Sequence, residues 1–116
     1  MNADVKSILD TLLKQHQALL DEVDATKDAA IASALLTELH EVLHRIMIAQ
    51  QLLLNETSAK LADAAGRVDD ASKELAKALG QIQKAADVVK SVTTFLTYVD
   101  KAIDLTKSLG VAAAKL

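Results

Sequence analysis

Val5, Ile8, Leu9, Leu12, Leu13, Leu19, Leu20 and Val23 recur at three- and four-residue intervals. At about 100° per residue they share one face, which predicts an amphipathic helix over 3–24. Asn2 is placed to cap it, and Asp4 in the first turn suits the positive end of the helix dipole. DAT at 24–26 interrupts the pattern, and Thr26 can cap a second helix with Asp28 in its first turn. That helix runs over 27–54 with Ile31, Leu35, Leu39, Val42, Leu43, Ile46 and Leu53 facing inward. Ile48 and Leu52 fall on its other side, which hints at a second contact. NETS at 55–58 then offers a run of capping residues.

From residue 61 the rhythm tightens to seven. Leu61, Val68, Leu75, Ile82, Val89, Leu96 and Ile103 form one column, and Ala64, Ala71, Ala78, Ala85, Val92, Val99 and Thr106 follow three places behind. A seam kept over this many heptads predicts coiled-coil-like packing. Beyond residue 85, Val88, Phe95, Ala102 and Leu109 add a third column. Gly80 poses an architectural fork. With a break there, the chain is an up-down bundle of four helices. Without one, 58–109 is a single helix roughly 78 Å long at 1.5 Å per residue. The first two helices would cover about half of it and a second chain the rest. The seam keeps its phase across Gly80 and no N-cap follows, so the pattern favours the long helix.

Either way the fold class is all-α, an antiparallel, coiled-coil-like helical bundle in one domain over 1–116. Composition agrees: 51% of residues are apolar, 2% aromatic, and 3 Gly and no Pro leave few places for strands to turn. With no Cys there are no disulfides and no thiolate chemistry. The N-terminus lacks the basic-then-apolar pattern of a signal peptide, and no run reaches the roughly 18 apolar residues of a membrane span. A cytoplasmic location is the default, although export without a cleaved signal would leave the same sequence. Residues 1–57 carry 4 Lys/Arg and 9 Asp/Glu, against 9 and 7 in 58–116. The halves thus complement each other weakly, and neither has the basic, aromatic-interleaved patch of a nucleic-acid binder.

Residues 40–44 read HEVLH. Histidines one turn apart can reach one metal ion, and a glutamate between them can activate bound water, which is the chemistry of zinc metalloproteases. A third ligand is required. No His follows residue 44, and Glu56 is only 12 residues on, about 18 Å along a continuous helix. His40 and His44 also lie roughly 110° and 150° from the centre of the apolar face, pointing to solvent. Peptide hydrolysis is therefore not expected, and zinc held by His40 and His44 is the one metal the sequence raises. Glu41 and His44 share the Glu-x-x-His spacing of di-metal bundles, which need two such motifs facing inward. The run LLKQHQALLDE at 12–22 resembles the first helix of hemerythrin-like bundles. That resemblance implies four helices; the family's later ligands are absent, with Ile48 where a carboxylate is needed.

His16 falls between Leu12 and Leu19 on the stripe. There it is expected to be a partly buried histidine, hydrogen-bonded across the bundle and fixing register, with loosening on acidification as the sharper possibility. No nucleophile constellation or phosphate-cradling Gly motif occurs. The expected function is non-enzymatic: a protein–protein interaction module such as a small adaptor, chaperone, regulator or immunity-type protein. Its heptad seam and the widened apolar face beyond residue 85 would bind a second copy or another protein's helix. The alternatives are a metal-binding bundle through His40 and His44, and an amphipathic protein that spreads on a lipid or granule surface. The polar faces mix Lys with Asp, without the cationic excess that draws helices to anionic membranes, so a membrane partner is not expected.

Overall fold

A computed structural model describes residues 2–52 and 58–115, with side chains as far as 109. Its described residues form four helices and no strand: α1 (Ala3–Ala25), α2 (Ala29–Gln50), α3 (Ala59–Leu79) and α4 (Ala85–Lys115). α1 packs on α2 and α3, and α4 packs on α3 and α2, so the order around the bundle is α1, α2, α4, α3. The bundle measures 54 × 21 × 18 Å. The all-α bundle stands in its four-helix form.

Local chemistry starts each helix. The Asn2 Oδ1 accepts from the backbone N–H groups of Asp4 (2.8 Å) and Val5 (3.3 Å), as the sequence leads one to expect. The second cap differs. Thr26 closes α1 through its N–H to the Glu22 carbonyl, and Asp28 caps α2 by accepting from the Ile31 N–H at 3.0 Å. Ser58 caps α3; the rest of the NETS run lies outside the described residues.

The long-helix expectation is corrected at Gly80. α3 tapers there through i→i+3 bonds, from the Gly80 N–H to the Lys77 carbonyl (3.2 Å) and from the Gln81 N–H to the Ala78 carbonyl (3.0 Å). α4 begins five residues later without a conventional N-cap, since the Lys84 side chain has no acceptor. Asp87, in the first turn of α4, serves instead. Its carboxylate accepts from the Gln83 and Lys84 N–H groups, each at 3.2 Å, which is the backward half of a capping box.

The break also rotates the seam. α3 buries Leu61, Ala65, Val68, Ser72, Leu75 and Leu79, so the inner column trails the first by four residues and not three. α4 buries Val88, Val92, Phe95, Val99, Ala102 and Thr106, flanked by Leu96 and Ile103. The column that looked continuous passes through Val89, which is 44% exposed. Its apolar identity persists across Gly80 while its role changes. Most of the seam is consumed inside the chain, with Leu61, Val68, Leu75, Leu96 and Ile103 all buried.

Candidate functional site

Two polar contacts fix how α1 and α2 are rotated. On α1, Gln15 is 1% exposed and its Nε2 donates to the Ser72 carbonyl of α3 at 3.1 Å and to the Ser72 hydroxyl. The seam position expected for His16 thus belongs to Gln15, and His16 is half-buried one position round the helix. His16 is partly buried as expected, but among the described residues it makes no hydrogen bond across the bundle, and the polar joint expected of it is made by Gln15. On α2, Arg45 bridges to α4: its Nε and Nη2 donate to the two Asp100 oxygens at 3.1 and 3.2 Å.

These anchors define the free flanks. With Gln15 turned to α3, about 100° per residue places Leu9, Leu13 and Leu20 on the α2 side of α1. With Arg45 turned to α4, Leu36, Leu43 and Met47 fall on the α1 side of α2 and its outward arc. The short 26–28 connection makes the two helices antiparallel neighbours, so the flanks meet along one face. Leu13 is 46% exposed, Leu36 43%, Leu43 40% and Met47 54%, four of the five large exposed apolar side chains among the described residues. Leu43, read from the sequence as inward, is therefore on this face. The second contact hinted at by Ile48 and Leu52 is met within the chain: Leu52 is buried in the core and Ile48 packs part-buried against it.

The face is also uncharged along α2. From residue 29 to 52 only Glu38, Glu41 and Arg45 are formally charged, and all three line the cleft towards α4. α3 is the contrast: its exposed side carries i,i+4 ion pairs from Arg67 to Asp63 (3.0 Å) and from Lys73 to Asp69 (3.3 Å). A helix so clothed suits water on its own. The outer arc of α2 offers leucine, methionine and histidine instead.

His40 and His44 stand exposed on that arc, beside Leu43. Both histidines can approach one ion, but Glu41 is held by Arg45, whose Nη1 donates to its carboxylate and to its carbonyl oxygen at 3.3 Å. Among the described residues no group of three or more metal-ligating side chains converges. Among the described residues His40 and His44 thus stand as a pair without a third such group beside them, and Glu56 lies outside the described residues.

The α2–α4 cleft holds a second unusual group. Glu38 is 8% exposed and its carboxylate accepts no hydrogen bond among the described residues. Burial raises its pKa above the ordinary carboxylate value, neighbouring Glu41 adds to the rise, and Arg45 opposes it. The Asp100 hydrogen bond does most to hold the Arg45 guanidinium protonated, against the cost of its partial burial. Nothing in the sequence pattern distinguishes Glu38 from a solvated glutamate, because its burial depends on how α4 crosses α2.

No protein family, curated protein or solved structure matches this chain. Among the described residues no helix is long and apolar enough to cross a membrane.

Proposed function

We propose that this chain is a non-enzymatic protein–protein interaction module that works through the outer face of its α1–α2 hairpin. The observation that carries the reading is the juxtaposition of exposed Leu13, Leu36, Leu43 and Met47 with an outer arc of α2 bearing no formal charge. Clustered apolar surface bordered by polar residues is the usual mark of a docking site. Most of the heptad seam, which the sequence offered as the binding surface, is covered by neighbouring helices and serves as the scaffold instead. The same face disfavours spreading on an anionic membrane, which needs basic residues around the apolar stripe. Adaptor, chaperone, regulator and immunity-type roles all use such a surface.

Cross-linking in cells of the source organism tests this reading. The wild-type chain should give a discrete adduct of fixed stoichiometry, and Leu36→Glu with Leu43→Glu should lose it while melting like wild type. An adduct that survives both substitutions, or a wild-type chain that forms none, contradicts the proposal.

A further inference from the structure

We propose that His40 and His44 form half of a Zn²⁺ site that a second copy of the chain completes, docked two-fold across α2. This rests on the α1–α2 face being the interaction surface, and it names the occupant. Leu36, His40, Leu43, His44 and Met47 lie within an arc of about 100° on α2. A partner helix that covers the apolar stripe therefore also covers the imidazoles.

The chemistry of the ion asks for the second copy. Zn²⁺ prefers four ligands in tetrahedral array, with imidazole nitrogens about 2.0 Å away. One chain offers two, and no third ligand converges on them among the described residues. A two-fold contact presents the same patch twice. Residues 40 and 44 are symmetric about 42, so an antiparallel crossing centred there sets the first histidine of each copy against the second histidine of the other. Helices that cross at roughly 8–10 Å leave space for an ion between such side chains.

Area and charge agree with this occupant. The hairpin face is about 33 Å long at 1.5 Å per residue and two helices wide, on the order of 600 Å², close to the ~800 Å² each partner contributes to a standard interface. The α2 part of the face carries no formal charge, so that part meets its own copy without repulsion. Imidazole ligands select zinc, copper or nickel over magnesium and calcium.

The test is sedimentation equilibrium of the untagged chain, stripped with chelator, with ZnCl₂ or MgCl₂ added. Zinc should strengthen dimerisation at least 10-fold, doubling the 12.3 kDa mass at concentrations where the stripped chain is monomeric, and magnesium should not. His40→Ala and His44→Ala should each abolish the zinc effect with unchanged helix content, and Leu43→Glu should prevent dimerisation. A dimer that forms equally well with and without zinc overturns the metal site and leaves the interaction face intact. A chain monomeric in zinc, or zinc dimerisation indifferent to both histidines, overturns the whole inference. The cross-linking experiment then decides separately whether the face binds a different protein.

Discussion

The Gln15 amide of α1 donates to the Ser72 main-chain carbonyl of α3 at 3.1 Å and to the Ser72 hydroxyl, while its own Oε1 has no hydrogen-bond partner among the described residues. A buried amide with one unanswered acceptor costs stability, and it ties α1 to α3 at one level of the bundle. Its removal should therefore depend on how it is done. Ser72→Ala alone weakens the anchor and should destabilise by about 1–2 kcal/mol. Gln15→Leu combined with Ser72→Ala replaces both partners with apolar groups and should be neutral or stabilising by a similar amount. Urea unfolding of the two variants measures the difference, and equal losses in both would refute the assignment.

Glu38 gives a pH signature with a definite sign. Its folded-state pKa is raised, first by burial and then by Glu41. Between the ordinary carboxylate value and the raised one, the native state binds more protons than the unfolded chain, so stability falls as pH rises through that window. Above the raised value the cost is present in full. Glu38→Gln should thus stabilise the protein at about pH 7.5 by on the order of 1 kcal/mol, and the gain should vanish near about pH 4. Chemical denaturation at both pH values checks this; a gain that is the same at both would remove the buried-carboxylate explanation.

The α3–α4 break was the hardest feature to read, and Asp87 explains why. A helix start is ordinarily recognised by an acceptor side chain at the cap, and position 84 is lysine. The signal lay three residues inside, in an aspartate that satisfies backbone N–H groups behind it. Asp87→Ala should cost about 0.5–1 kcal/mol and speed amide exchange at Gln83 and Lys84 specifically. Gly80 itself is in a right-handed conformation, φ −75°, and an added Cβ would meet only the Lys77 carbonyl at 3.5 Å. Gly80→Ala should therefore be tolerated or stabilising by roughly 0.4–1 kcal/mol, by reducing the freedom of the unfolded chain. A large loss from Gly80→Ala would show that the turn needs glycine after all.

What periodicity revealed and what it hid have one physical root. Spacing of apolar residues is enough to place Val5, Ile8, Leu12 and Leu19 in a core, and all four are 0–1% exposed. It identifies a helix face only to within its neighbouring columns. Gln15 and His16 therefore exchanged roles, Leu43 moved outward, and Val89 kept its column but lost its cover. Which flank of a helix is free depends on which helices lie beside it, and here Arg45–Asp100 and Gln15–Ser72 fix that. The exposure of His40 and His44 was legible from their angle to the apolar face. The apolar strip beside them became visible only once the bundle order was known.

Met47 offers the most direct measurement of the central claim, because it is the most exposed of the large apolar side chains on the α1–α2 face, at 54%. Its oxidation to the sulfoxide can be followed by mass spectrometry in dilute purified protein and in intact cells. If the face is a docking surface, Met47 should be protected several-fold in cells and fully reactive in the dilute chain. Equal oxidation in both settings would contradict the account.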